Sequence, residues 1–222
     1  MKRRVLATLV AAMLAVLACG GDGEVINQPV RVATLAELTG PWRATPLILD
    51  PALRARAADV CRREIELPGG VVPAVMDARG EGVVTVRMTG AIEASCDALE
   101  IPADGGVMGA GGGWHQNPER LPAVPDTELT QLTRGRIDGG GLTVKGWSVH
   151  GRAGAAIAVV QLTLAGGPVV TATLESGWFS AWWPAIIADD LEIAPFPQVV
   201  IQGFDSTGAL LHSATSAEVG GP

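Results

Sequence analysis

Hydrophobic and polar residues alternate along the second half of the chain in short runs that glycine-rich turns separate. This alternation predicts β-strands at Leu142–His150, Ala155–Leu164, Val169–Leu174, Gly177–Trp183, Gln198–Phe204 and Ala209–Thr215. No helical pattern interrupts these strands. We therefore expect an all-β sandwich of antiparallel strands over residues 142–216, followed by a tail at residues 217–222.

The first half combines one helical pattern with a series of strand patterns. Asp50 and Pro51 are an N-cap residue and a proline at the first helical position, and they predict a helix over Ala52–Glu64. Strand-like alternation follows at Val71–Met76, Val83–Met88 and Ala91–Ile101. We expect a small α+β domain over residues 34–112, in which the helix lies on an antiparallel meander.

Glycine and proline are concentrated between the two halves, and we interpret residues 113–141 as a linker. Within it, Thr127–Thr133 is expected either to form one helical turn or to cross the surface. The predicted fold class is therefore an α+β N-terminal domain followed by an all-β C-terminal domain.

The N-terminus has the pattern of an export signal. Met1–Arg4 is basic, and Val5–Ala18 follows as fourteen residues without a charge. As a helix this run would be about 21 Å long, whereas the hydrocarbon core of a bilayer is about 30 Å thick. We therefore interpret residues 1–18 as a signal peptide and not as a membrane span.

The end of this segment, Val16–Cys19 followed by Gly-Gly-Asp-Gly, resembles the lipobox of bacterial lipoproteins. In that family the chain is cut before the cysteine, and lipid is attached to its thiol. The resemblance implies that Cys19 is lipidated, that residues 19–33 form a tether, and that the protein is held at the cell membrane on its extracytoplasmic side. The alternative is an ordinary secretory signal that is cleaved near Ala18 and leaves Cys19 as a spare thiol.

The other two cysteines predict a disulfide bond. If Cys19 carries lipid, Cys61 and Cys96 are left as an even pair in an exported protein, where disulfides persist. Each falls on the apolar side of its predicted element, the helix for Cys61 and a strand for Cys96. A bond that closes this loop would stabilise the fold by roughly 3–4 kcal/mol. The alternative is two buried free thiols.

The charge of the chain excludes one class of partner. The formal net charge is −7, and cleavage after Ala18 would remove three positive charges and bring it to −10. This acidic balance argues against nucleic acid, whose phosphates require clustered lysine and arginine. It also argues against a second, electrostatic contact with anionic lipid. The expected partners are the membrane, through the lipid anchor, and an envelope protein or glycan.

The second half resembles the immunoglobulin-like domains of exported bacterial proteins. The segments that carry the resemblance are Gly151–Gly154, Val159–Leu164, Ala172–Leu174, Gly177–Phe179 and the turn Phe204–Gly208. It implies an immunoglobulin-like β-sandwich, without the internal cysteine pair of antibody domains. The whole chain also looks like uncharacterised two-part bacterial lipoproteins, a likeness that implies no activity.

The sequence offers little for a metal or a cofactor. None of the histidines, His115, His150 and His212, lies at the spacing of a zinc site. An acidic cluster occurs at Asp189, Asp190 and Glu192, but it lacks the alternating spacing of a calcium loop, so we interpret it as a solvated loop. We expect neither a metal site nor a cofactor.

Gly146–His150 is superficially similar to the GxSxG nucleophile elbow of serine hydrolases. That motif requires a strand, a sharp turn at the second glycine and a helix. Here His150 stands in place of the second glycine, and strand-patterned residues surround the motif. We therefore expect no catalytic serine at this position.

Aromatic residues are concentrated in Gly177–Pro184, which contains three of the six tryptophans. In a strand, Trp178 and Trp182 face one way, and Phe179 and Trp183 face the other. One arrangement buries Phe179 and Trp183 in the sandwich and sets the other row on an edge or against the first domain. The other arrangement leaves one row exposed, so that Trp178, Trp182 and Trp183 are a possible binding surface for a sugar or a protein.

The function that we expect from the sequence is binding or interaction at the membrane surface, without catalysis. A hydrolase that acts on envelope material, with its site at the domain junction, is the second hypothesis. A structural spacer that presents the first domain away from the membrane is the third.

Overall fold

The computed structural model describes residues 31–90, 92–109, 113–116, 122–138, 144–185 and 193–215. The predicted signal peptide, the lipidation site at Cys19, most of the tether, the acidic cluster at residues 189–192 and the tail lie outside the described residues. The described part belongs to one compact unit, Arg31–Pro222.

The fold is mostly antiparallel β-sheet with few helices. The helices are α1 (Leu35–Leu38) and α2 (Pro51–Glu64). The strands are β1 (Val72–Ala78), β2 (Val83–Thr89), β3 (Ile92–Glu100), β4 (Met108–Gly109), β5 (Gly113–Gln116), β6 (Leu129–Ile137), β7 (Gly146–Ala153), β8 (Val159–Leu164), β9 (Val169–Thr171), β10 (Thr173–Glu175), β11 (Trp178–Pro184), β12 (Val199–Phe204) and β13 (Leu210–Thr215). In the described part of the chain, no helix is long and apolar enough to cross a membrane.

Helix α2 begins where the sequence places its cap. The Asp50 carboxylate accepts hydrogen bonds from the backbone N–H groups of Ala52 and Leu53, both at 2.9 Å. Pro51 follows at the first helical position, where its missing N–H has no intrahelical partner to lose. The residues on the inner face of the helix are buried: Leu53, Ala57, Ala58, Val60 and Cys61.

Strands β1–β5 form an antiparallel sheet that we call the first sheet, in the order β1-β2-β3-β4, with β5 also paired to β3. Helix α2 covers one face of it, over a core that includes Val86, Met88 and Leu99. The disulfide bond between Cys61 of α2 and Cys96 of β3 crosses this core, with the two Cα atoms 5.8 Å apart. The cysteine pair predicted from the sequence therefore lies at bonding distance on the buried sides of both elements.

The remaining strands form two further sheets. The middle sheet has the order β10-β11-β7-β6, and the outer sheet has the order β13-β12-β8-β9. The core that they share includes Val149, Phe179 and Trp183 from the middle sheet and Leu162 and Ile201 from the outer sheet. Two antiparallel sheets packed face to face in this way are compatible with a β-sandwich.

The second face of the middle sheet packs on the first sheet. Trp182 lies in a small core with Val83 of β2, and Trp178 lies in another with Ala74 and Val75 of β1. The layers therefore follow the order α2, first sheet, middle sheet and outer sheet. Because the middle sheet is covered on both faces, β11 is buried along all but its last residue.

The predicted strand Val169–Leu174 is divided in the structure. Strand β9 pairs with β8 in the outer sheet, whereas β10 pairs with β11 in the middle sheet. Ala172 lies between them, buried, and its N–H donates to the Val160 carbonyl at 2.8 Å. The chain passes from one sheet to the other at this residue. The alternation does not change there, so the sequence pattern could not show the crossing.

The sequence allowed either one helical turn or a crossing of the surface at Thr127–Thr133, and most of this segment belongs to a β-strand instead of a helical turn. Strand β6 occupies Leu129–Ile137 and pairs with β7 along most of its length. Leu129, Gly135 and Ile137 are buried, but the threonines and arginines between them obscure the apolar alternation. Strand β5 also lies within the range that we interpreted as a linker, and it pairs with β3.

Candidate functional site

The tryptophans of β11 are interior residues. Their exposed fractions are 7% for Trp178, 0% for Trp182 and 4% for Trp183. Phe179 and Trp183 lie in the core shared with the outer sheet, and Trp178 and Trp182 pack against the first sheet. This is the first of the two arrangements that the alternation allowed. The first sheet covers the row that would otherwise face solvent, so none of the three tryptophans is open to a ligand in this structure.

The junction between the first and middle sheets combines these tryptophans with polar contacts. Arg87 of β2 and Arg152 of β7 place their guanidinium carbons 6.0 and 5.6 Å from the centre of the Trp178 ring, in cation–π geometry. The indole N–H of Trp42 donates to the backbone carbonyl of Trp182 at 3.1 Å. The segment before α2 is therefore attached directly to the middle sheet.

Asp77 and Arg79 form a fully buried ion pair at this junction. Arg79 Nε donates to the Asp77 carboxylate at 2.7 Å, and the Thr173 hydroxyl donates to the same carboxylate at 2.5 Å. The other guanidinium nitrogens donate to the carbonyls of Ala44 and Thr171 at 2.8 and 2.6 Å. Burial raises the pKa of Asp77, and the charge of Arg79 opposes that shift. All of these hydrogen-bond partners belong to the fold itself. We therefore assign the ion pair a structural role at the junction and not a role in ligand binding.

The junction contains a second group of buried polar residues, which we call the buried polar cluster: Thr85, Arg87, Glu93, Ser148, His150 and Ser180. Arg87 donates to the Glu93 carboxylate at 3.1 Å, and the hydroxyl oxygens of Thr85 and Ser180 lie 3.3 Å apart. Burial and the charge of Arg87 hold the pKa of His150 well below 6.5. Its Nε2 has no hydrogen-bond partner among the described residues. His150 is therefore a neutral imidazole inside the fold.

The buried polar cluster contains the residue types of a hydrolase but not the space for a substrate. All of its members except Glu93 line a cavity, together with Val86, Ser95 and Cys96, and the volume of this cavity is about 10 Å³, which is room for about one water molecule. Ser148 and His150 lie within β7, which is hydrogen-bonded to β6 on one side and β11 on the other. Gly146–His150 therefore runs as a straight strand and forms no nucleophile elbow.

The two histidines whose side chains the structure describes, His150 and His212, lie in different parts of the fold. His150 lies in the junction, His212 is half-buried on β13 of the outer sheet, and the side chain of His115 is outside the described residues. Within the described ranges, no group of three or more histidine, cysteine, aspartate and glutamate side chains is arranged to hold a metal ion.

An open groove of about 240 Å³, the α2 groove, separates α2 from β1. Its lining consists of Arg54, Ala55, Ala58, Asp59, Arg62, Pro73 and Met76. Arg54 makes two hydrogen bonds to Glu175 of β10, at 2.8 and 2.7 Å, and these raise the pKa of Arg54. Arg62 donates to Asp59 at 2.6 Å. Because both arginines already have carboxylate partners, the groove offers little net charge to a ligand.

The solvent-facing side of the outer sheet differs from the α2 groove in the type of residue that it exposes. Alternate residues of β8, β9, β12 and β13 point away from the core and are exposed or half-buried. We call them the outer face: Val159, Gln161, Thr163, Val169, Thr171, Val200, Gln202, Phe204, Leu210, Ser213 and Thr215. None of them is charged. Val169 and Leu210 are 49% and 52% exposed.

The register of the outer sheet aligns these residues in rows. Gln161 lies opposite Gln202, which in turn lies opposite Ser213, so that two amides and a hydroxyl share one row. Amides and hydroxyls both donate and accept hydrogen bonds. An uncharged face that combines such groups with exposed aliphatic residues is unusual on a chain with a formal net charge of −7, and it is the strongest candidate interaction surface of the described residues.

Sequence reasoning missed both the outer face and the polar side of the junction. The alternation in β8 and β12 shows which residues share a face, but the sheet pairing is needed to bring four strands together into one uncharged surface. For the junction a signal was present. Arg87 lies between Val86 and Met88 in β2, and Ser148 and His150 flank Val149 in β7, so polar residues alternate with apolar ones in strands that the fold buries. Buried polar residues of this kind usually form hydrogen bonds.

Comparisons with protein-family profiles, with curated proteins and with solved structures found no match to this chain.

Proposed function

We propose that this is a lipid-anchored extracytoplasmic protein that binds an envelope protein through the outer face, without catalysis of its own. The observation that carries the proposal is the absence of charge across the outer face, together with the exposure of Val169 and Leu210. The centres of protein–protein interfaces are depleted in charged residues, since each buried charge must be desolvated.

Two features support the extracytoplasmic location. The signal-like N-terminus ends in the lipobox-like Val16–Cys19. The bond between Cys61 and Cys96 is the second feature, because disulfides persist outside the cytosol, whereas thioredoxin and glutathione keep cytosolic thiols reduced.

We also propose that the middle and outer sheets form an immunoglobulin-like sandwich. The order β6-β7-β11-β10 corresponds to strands A-B-E-D of that fold, and β13-β12-β8-β9 corresponds to G-F-C-C′. On this assignment β6 is the first strand, and the sandwich begins at Leu129 instead of residue 142. Helix α2 on the first sheet supports an α+β arrangement for the preceding part.

The geometry favours a protein partner over a glycan and over a substrate. Glycan platforms use exposed aromatic rings, whereas Trp178, Trp182 and Trp183 are buried. A hydrolase at the junction would need more room than the cavity of about 10 Å³ beside His150. A structural spacer would not need an uncharged face. If mutation of the outer face abolishes partner binding, the protein acts through binding and is not only a spacer.

The anchor is tested by substitution of Cys19. The Cys19→Ser protein should be released from the membrane fraction, whereas the unaltered protein should remain with it. Membrane association of Cys19→Ser that withstands high salt would contradict the lipid anchor.

The binding surface is tested by crosslinking in intact cells, followed by capture and identification of the partner. Thr163→Lys places a charge at the centre of the outer face and should abolish capture. Thr127→Lys places the same charge on an exposed turn before β6 and should leave capture unchanged. Equal capture by both variants would overturn the assignment of the outer face.

A further inference from the structure

We propose that the cavity in the junction binds one water molecule, which hydrogen-bonds to His150 Nε2 and links the middle sheet to the first sheet. This site goes beyond the proposed function, because it depends neither on the lipid anchor nor on an envelope partner. It rests on the unpaired nitrogen of His150, on the polar groups around the cavity and on the size of the cavity.

The middle sheet brings three polar side chains to the cavity. Ser180 of β11 lies directly opposite His150 of β7, so the two side chains share one face of the sheet. Ser148 precedes His150 by two residues in the same strand and therefore lies on that face as well. Each of the three is at least nine-tenths buried, and each lines the cavity.

The first sheet supplies the opposite wall. Arg87 of β2 pairs with Ser95 of β3, and Thr85 precedes Arg87 by two residues in β2. All three line the cavity. The hydroxyl oxygens of Thr85 and Ser180 lie 3.3 Å apart, so the two walls meet at this point. A water held here would contact both sheets.

His150 Nε2 is the group that requires a partner. The side chain is 6% exposed, and Nε2 makes no hydrogen bond to any described residue. Such a nitrogen destabilises the fold unless it is paired, because it has lost its hydrogen bond to solvent. Burial and the charge of Arg87 hold the pKa of His150 low, so the imidazole is neutral and Nε2 either donates or accepts. Water can serve it in both cases.

The size and charge of the cavity favour water over an ion. Its volume of about 10 Å³ is room for about one water, and buried waters make about three hydrogen bonds. The imidazole and the surrounding hydroxyl groups can supply that number. A chloride ion is larger than water, and the charge of Arg87 already faces the Glu93 carboxylate. A metal cation would lie beside the positive charge of Arg87.

The test uses the purified full chain with Cys19→Ser and nuclear Overhauser measurements by NMR. A water bound to Nε2 should give a cross-peak between the water resonance and the ring protons of His150. His150→Gln removes these ring signals and should remove the peak, whereas His212→Gln should retain it. Absence of the peak from the Cys19→Ser protein would overturn the proposal.

Ser180→Thr separates a bound water from a hydroxyl proton that exchanges with solvent. It retains the hydroxyl but adds to the cavity wall a methyl group about as large as the water, so the cross-peak should disappear. Ser206→Thr adds the same methyl group in the exposed turn between β12 and β13 and should leave the peak unchanged. Ser148→Thr fills the cavity from β7 and repeats the test if Ser180→Thr does not fold.

Two results from the filling variants would contradict the site. A cross-peak that persists in Ser180→Thr or Ser148→Thr would come from a hydroxyl group and would overturn the bound water. Broadening of the chloride NMR line by the Cys19→Ser protein, if the filling variants abolish it and Ser206→Thr does not, would identify an anion in the cavity and would also overturn it.

Discussion

Arg79 and Asp77 are joined by a hydrogen bond of 2.7 Å inside the junction, and neither side chain has any exposure to solvent. They lie two residues apart near the end of β1, yet their remaining partners come from distant parts of the chain. Arg79 reaches the carbonyls of Ala44 and Thr171, and Asp77 accepts from Thr173. The pair therefore holds together β1, the segment before α2, and the crossing from β9 to β10.

Removal of one partner should strongly destabilise the fold. Arg79→Met would leave the Asp77 carboxylate buried without its counter-charge, at a cost of about 3–5 kcal/mol in the free energy of unfolding. Urea denaturation measures this change. Arg136→Met, which breaks the exposed pair with Asp138, should cost less than about 1 kcal/mol. Similar midpoints for the two variants would contradict the role assigned to the buried pair.

His150 should make the protein less stable in mild acid. Its pKa in the folded chain lies well below 6.5, whereas in the unfolded chain it is near 6.5. Between these values the unfolded chain binds more protons, so stability falls as the pH decreases below about 6.5, by up to about 1.4 kcal/mol per pH unit. The cause is burial of the imidazole, to which the positive charge of Arg87 adds. Unfolding midpoints measured from about pH 7.5 to about pH 5 should show the loss.

Two glutamine variants separate this effect from general acid sensitivity. His150→Gln removes the titrating group and should flatten the pH dependence in that range. His212→Gln changes a half-buried histidine on β13 and should retain the dependence of the unaltered protein. An unchanged slope in His150→Gln would assign the effect to other groups.

Trp182→Ala should destabilise all layers together. The side chain is completely buried between the middle and first sheets, and its loss should cost about 3–5 kcal/mol. Because the junction joins the layers, tryptophan fluorescence and far-UV circular dichroism should report one shared transition. Val169→Ala, at an exposed site, should change stability by less than about 0.5 kcal/mol. Two separate transitions in Trp182→Ala would show that the layers unfold independently.

Loss of the disulfide bond should destabilise the first sheet and α2. The double variant Cys61→Ala with Cys96→Ala should lose roughly 3–4 kcal/mol, because the closed loop restricts the unfolded chain. Peptide mapping of the unreduced protein should recover a linked Cys61–Cys96 peptide. Two thiols that alkylate freely without reduction would contradict the bond.

Much of the local structure followed from the sequence alone. The cap at Asp50, the proline after it and the apolar spacing to Cys61 predicted α2, and period-two alternation located most of the strands. These features depend on hydrogen bonds and side-chain directions within a few residues, which the sequence states directly. The helical spacing of α2 and the period-two alternation of β3 also predicted that Cys61 and Cys96 face a common core.

Only the tertiary structure decided what covers each face. Alternation placed Trp178 and Trp182 on one side of β11, but it could not show that the first sheet packs there and buries them. Nor could it show that Ala172 carries the chain from the outer sheet to the middle sheet. The physical reason is the same in each case. A period of two tells which residues share a face, whereas the neighbour of that face is set by contacts between residues far apart in the chain.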